Sequence, residues 1–345
     1  MHTPTPEEAT SLNYPDNAIP FQIEEIKKAD ELFDMTIEGS PYDFEQMLPI
    51  EKRGQRSLAK KKLKQLKVLD PVIRGMLHEG EEVIYLTDGV KVHSAEQLFI
   101  GWLMYYYNHN AFIFTNERIL LIHVIKKTKL GKFVGAIRYE DLLKVKTSFT
   151  GSLRIKFRNK KQVLFTRVAG QDRKFIKEFL VPLVENSAAT VDKQAPMIQD
   201  LCPACYQKVD DKNASECPSC QCGFRTPRQA AIRSLILPGL GDIYLGSALG
   251  YLEAAFMLFL WTGNIFGSIE LIREGEEPAA VWISTLIFLG IIHLLDAAKS
   301  HYVARKGIFP KEAIQGIRNR QQAKVGEGYC IPTASGPDTT TNEAV

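Results

Sequence analysis

Five of the six cysteines in this 345-residue chain fall between positions 202 and 222, with Cys330 alone near the end. They read Cys202-Pro-Ala-Cys205 and, after an 11-residue gap, Cys217-Pro-Ser-Cys220, with Cys222 just beyond. Each Cys-x-x-Cys turn can supply two thiolates to one tetrahedral ion, and four thiolates leave no open position for catalysis. The spacing therefore predicts a structural Zn²⁺ held by Cys202, Cys205, Cys217 and Cys220 in a zinc ribbon at 201–226. Cys222 competes with Cys220 for the fourth place, but only Cys220 keeps the two-residue spacing. A disulfide framework would spread its pairs, so the clustering points to metal binding in a reducing compartment.

A second set of reactive groups lies in or near two apolar stretches, Ala248–Ile272 and Ala279–Ala298. Glu253, His293 and Asp296 are ionisable, and such groups inside a membrane are candidates for proton or ion handling. His293 and Asp296 are three residues apart and share a helix face. The alternative reading is that they are interfacial residues near helix ends. No nucleophile elbow, phosphate loop, His-Glu-x-x-His or dinucleotide fingerprint occurs. The seven histidines are scattered, so no enzymatic activity and no catalytic residue are expected.

The elements that position these groups follow from charge and periodicity. Net charge is only +3, yet residues 1–50 sum to −9, 51–70 to +6 and 71–186 to +8. Residues 1–50 are punctuated by Pro4, Pro6, Pro15, Pro20, Pro41 and Pro49 and read as a flexible acidic arm. Their first 20 residues have neither an apolar core nor a basic start, so a cleaved export signal is not expected. Residues 51–70 predict a basic amphipathic helix with Ala59, Leu63 and Leu66 on one side, ended by Pro71. Its Lys60, Lys61, Lys62 and Lys64 would face either an anionic lipid surface or a partner protein.

Between Glu82 and Val168 short β-branched and aromatic runs alternate with Gly and Asn turns, predicting seven strands. A helix follows with Asp172 as its cap and Phe175, Ile176, Phe179, Leu180 and Leu183 on one side. Strands closed by one helix describe a small barrel or sandwich. Leu98–Tyr107 is too short to span a bilayer and reads as a buried strand pair or a membrane-dipping loop. A polar linker at 187–200 leads to the ribbon. The two apolar stretches, each near the ~20 residues a membrane helix needs, form a hairpin at 232–298. Arg225, Arg228 and Arg233 precede it and Lys299, Arg305, Lys306 and Lys311 follow, whereas the loop at 273–277 holds one arginine. That bias predicts both termini in the cytoplasm. Residues 299–345 form a basic, then disordered, tail.

Two segments resemble known families. Phe112-Ile-Phe-Thr-Asn-Glu-Arg-Ile-Leu-Leu-Ile122 and Tyr139-Glu-Asp-Leu-Leu-Lys-Val145 resemble the strand–turn–strand motifs of bacterial pleckstrin-homology-like (PH-like) and GRAM-type domains. Leu235-Ile-Leu-Pro-Gly-Leu-Gly-Asp-Ile-Tyr-Leu-Gly246 resembles the entry of the two-transmembrane-hairpin family, departing from it at Asp242-Ile243. The resemblance implies a multidomain α+β membrane protein: a PH-like β-barrel or sandwich with a C-terminal helix at 71–186, a zinc ribbon, and a transmembrane helical hairpin. It implies a multi-pass protein of the bacterial inner membrane. The expected function is a non-enzymatic scaffold that binds lipid or an unidentified protein partner beside the membrane. The alternatives are a transporter, channel or membrane-enzyme subunit built by homo-oligomerised hairpins, and a nucleic-acid-binding ribbon. The balanced charge of residues 187–230, five basic and five acidic, makes nucleic acid unlikely as a partner.

Overall fold

The computed structural model describes residues 41–47, 55–92, 108–125, 129–186 and 191–312. Most of the acidic arm, the Leu98–Tyr107 stretch, the side chain of Lys60, Cys330 and the tail beyond 312 lie outside the described residues.

An eight-stranded, wholly antiparallel sheet organises the first half in the order β5-β6-β7-β1-β2-β3-β4-β8. Its strands are β1 Val83–Val92, β2 His109–Thr115, β3 Arg118–Ile125, β4 Lys129–Arg138, β5 Leu142–Thr147, β6 Leu153–Phe157, β7 Gln162–Thr166 and β8 Gln199–Leu201. The seven expected strands are all present, and the eighth comes from the segment expected to be linker. The sheet is not a closed barrel: β5 and β8 are its two edges.

Helices cover both faces. α1 Phe44–Met47 and α2 Gln55–Met76 lie on one, and α3 Gly170–Asn186 on the other. Alternation along the central strands divides the core accordingly. Ala111, Ile113, Leu120 and Ile122 face Leu66, Leu69 and Ile73 of α2. Phe112, Phe114, Ile119 and Leu121 face Ile176 and Leu180 of α3. Burial on both faces is why β2 and β3 read as unbroken apolar runs instead of alternating ones.

Four expectations are corrected here. α2 does not stop at Pro71 but continues to Met76. Leu69, Val72, Ile73 and Met76 are all buried there, and burying several large side chains offsets the ~3 kcal/mol that an internal proline costs. The end of the acidic arm is docked, since Asp43 N donates to Val83 O (2.8 Å) and Val83 N to Pro41 O (2.7 Å). Asp172 lies inside α3 and is buried, pairing with Lys62 instead of capping the helix. On α3, Val184 is buried while Leu183 stands 40% exposed.

The second half begins at β8 and passes through the cysteine knuckles to β9 Phe224–Arg225. Four helices follow: α4 Pro227–Ile236, α5 Leu240–Tyr244, α6 Leu249–Arg273 and α7 Pro278–Ala304. The chain then returns as β10 Phe309–Pro310, which pairs antiparallel with β9. α6 and α7 are long and apolar enough to cross a membrane by length and composition, and only 11% of the apolar window of each is buried.

Candidate metal centre and hairpin root

The two knuckles are built alike. Tyr206 N donates to Cys202 O (2.8 Å) and Gln221 N to Cys217 O (2.9 Å). Cys202 N donates to Gln207 O and Cys217 N to Cys222 O, both at 2.9 Å. The residue after the second cysteine is left-handed in each, Tyr206 at φ 60° and Gln221 at φ 57°. One conformation used twice turns two thiols of each knuckle toward a common point. All four sulfurs lie within 4.8 Å of one another. Cys202 Sγ is 3.7 Å from Cys220 Sγ, and Cys205 Sγ is 3.6 Å from Cys217 Sγ. Ala204 N points at Cys202 Sγ (3.4 Å), an amide donor suited to a thiolate. The second knuckle's repeat of the first places Cys222 at the position of Gln207, outside the four-sulfur group.

The group could bind a metal ion. Cys202 is fully buried and its thiol is pushed far up, chiefly by hydrogen bonding to Cys205 and then to Cys220. Cys220 is pulled down to about 2, first because it accepts from Cys202. Only a positive ion would let all four ionise.

The polar residues near the apolar helices make a different centre, with Lys299 in the middle. Lys299 Nζ lies 2.7 Å from Asp296, 2.8 Å from Glu253 and 2.9 Å from Asp242. Asp296 also accepts from Gly239 N (2.8 Å), fixing the start of α5 to α7. His293 does not join this group: its Nδ1 donates to Leu235 O (2.7 Å) at the end of α4, and its ring stacks on Trp261. The pairing of His293 with Asp296 expected from their spacing is thus absent. Lys299 and Asp242 were the residues that sequence reasoning left out, the first being counted only as a flanking charge. Its i+3 spacing from Asp296 was the available signal.

The glycine-rich entry is explained by contact. A Cβ on Gly239, whose φ is +90°, would lie 2.6 Å from Ala254 N and Gly250 O. One on Gly241 would meet Ala230 O and Ser300 Oγ at 2.6 Å. The run is therefore a packing knot of α4, α5, α6 and α7, as expected from small residues at helix contacts.

The Thr115-Asn116-Glu117-Arg118 turn is likewise occupied by fold contacts. Arg118 Nη2 donates to Glu81 (2.9 Å) and to Met76 O (2.7 Å), and Thr115 Oγ1 donates to Glu81 (2.7 Å). Asn116 Oδ1 accepts from Glu82 N (3.0 Å), and His78 meets Glu117 at 2.9 Å. The turn locks the end of α2 to the β2–β3 hairpin. Glu81, close to His78 and Glu117, is committed to Arg118 and Thr115, so those three residues form a lock and not a metal site.

Of the four lysines expected on one lipid-facing surface, Lys61 and Lys64 are exposed. Lys62 is buried, 2.8 Å from Asp172, over the ring of Tyr85 at 3.8 Å. Tyr85 and Thr87 donate to the same carboxylate at 2.8 and 2.6 Å. Burial pushes Lys62 below the ordinary lysine range, against the pull of Asp172. Lys62 therefore bridges α2 to α3 and is withdrawn from any lipid surface.

No protein-family model matches the chain, and no curated protein matches it. Among solved structures, the crystal structure of the C-terminal domain of an unknown protein from Leishmania infantum aligns over 32% of this chain and 86% of its own. Identity there is 10% and the TM-score 0.22, values that carry no argument.

Proposed function

We propose that this protein is a non-enzymatic anchor and scaffold of the bacterial inner membrane. In this reading α6 and α7 cross the bilayer with both chain ends in the cytoplasm. A zinc ribbon stands at their base, and the sheet domain, of PH-like type, presents a surface to lipid or to a protein partner. The observation that carries the reading is the position of the ribbon. Its first strand, β8, is the edge of the large sheet, and its last, β9, is clamped by the chain returning from α7. Phe133 of β4 also packs on Phe309 of β10 (5.6 Å). The sheet, ribbon and hairpin root are thus braced against one another.

Zinc is supported by dimensions. Four sulfurs at ~2.3 Å from one ion stand ~3.8 Å apart along a tetrahedron's edges, close to the 3.6 and 3.7 Å distances here. At 25 and 27 residues, the helices are about 37 and 40 Å long, more than the ~30 Å hydrocarbon core. Phe256, Phe259, Phe266, Leu286 and Leu294 stand exposed along them, as lipid-facing side chains would. The Lys299 cluster favours a structural clamp over a transport path, because its lysine is shared among three carboxylates.

The test is recovery of partners with the full chain as bait in detergent extract. A reproducible protein partner or selective enrichment of anionic lipid supports a binding scaffold. Turnover of a co-purified small molecule would contradict it.

A further inference from the structure

We propose that Lys132, Arg225 and Arg233 form a site for the phosphate of an anionic phospholipid at the base of the hairpin. The proposal rests on the reading that α6 and α7 cross a membrane.

The three cations come from three elements, β4, β9 and α4, and meet at the turn that leads into α6. Lys132 Nζ donates to Leu245 O (2.6 Å). A Cβ placed on Gly246 would lie 2.6 Å from Arg225 Nη1 and 3.0 Å from Lys132 Nζ, so both nitrogens crowd one point beside the backbone. Gly246 is left-handed at φ +75° and has no side chain to block that approach. Arg233 and Arg225 share the ring of Tyr244, their guanidinium carbons 4.3 and 5.9 Å from its centre. Among the described residues no carboxylate forms an ion pair with any of the three. Asp242 acts on Lys132 through space, but its carboxylate is engaged by Lys299 (2.9 Å).

Three like charges gathered without a counter-charge repel one another unless an anion lies among them. Lys132 registers the strain: burial, then Arg225, push it down to about 8. An anion would offset the repulsion from Arg225. The location identifies the anion's source. Gly246 precedes by three residues the first residue of α6, Leu249, which is the depth of the headgroups when that helix enters the bilayer. Arginine and lysine there also present the donors that phosphate oxygens accept.

The test uses the full chain in detergent micelles, with thermal unfolding followed as lipid is titrated. Phosphatidylglycerol should raise the melting temperature, while phosphatidylcholine and sodium phosphate should not. In Lys132→Gln and Arg233→Gln, half-saturation should need roughly fivefold more phosphatidylglycerol. Lys177→Gln, exposed on α3, should respond as the parent chain does. Arg233 makes no side-chain hydrogen bond among the described residues, so its variant removes charge with little cost to the fold. Equal stabilisation by the two lipids, an unchanged response in both variants, or stabilisation by phosphate alone would overturn the proposal. Release of the chain from membranes by alkaline carbonate would instead overturn the reading beneath it.

Discussion

Cys205 sits at the second position of the first knuckle, so replacing its thiol removes one of the four sulfurs that could hold a metal ion and leaves three. Cys205→Ser should lose bound metal and lower the melting temperature of the full chain by several degrees, because metal affinity at such a site is folding energy. Differential scanning fluorimetry with and without chelator measures it, and the variant should no longer respond to chelator. A second residue-scale outcome concerns Glu81. Burial raises its carboxyl, but hydrogen bonds from Arg118, Thr115 and the His78 amide outweigh that and hold it below 4.5. Its folded pKa is thus below its unfolded one. The stability it contributes is complete above about pH 4.5 and is lost as pH falls through the folded value. Glu81→Gln should flatten the acid limb of a melting-temperature profile below pH 5, while lowering stability at neutral pH.

At the scale of elements, Lys299 is the pin on which α5, α6 and α7 converge. Lys299→Met would leave three carboxylates unneutralised in a half-buried site, a loss of the order of 3–5 kcal/mol. It should melt well below Glu253→Gln, which leaves Lys299 two carboxylates. Thermal unfolding of the two variants in one detergent gives the comparison, and equal melting temperatures would remove Lys299 from its central role. Elements of this kind were only half legible in the sequence. The strand runs and apolar helices were readable, because turn residues and β-branched alternation mark strands locally, and Leu153–Phe157 matches to the residue. The cysteine quartet was readable for the same reason, since its spacing is local geometry. What depends on distant partners was not. Lys62 looked like one more surface lysine among Lys60, Lys61 and Lys64 until Asp172, 110 positions later, was folded against it. Pro71 looked like a stop until the buried face of α2 was seen to run past it. β8 was hidden because a three-residue strand at an edge has no pattern of its own.

For the whole molecule, the charge segregation of the sequence becomes architecture. The hairpin's far loop carries Glu274, Glu276 and Glu277, while its base gathers Lys132, Arg225, Arg233 and Lys299. In this account a reporter fused at Gly275 reads periplasmic and reporters at either end read cytoplasmic. A cytoplasmic signal at Gly275 would refute the two-span topology. In the same account the ribbon stands between the sheet and the bilayer, and a metal held by its four cysteines would keep those two parts in register. The most direct test of that claim is elemental mass spectrometry on full-length protein freshly extracted in detergent. The account predicts about one zinc per chain, falling to none in Cys205→Ser. Metal-free protein, or a stoichiometric metal other than zinc, would contradict it.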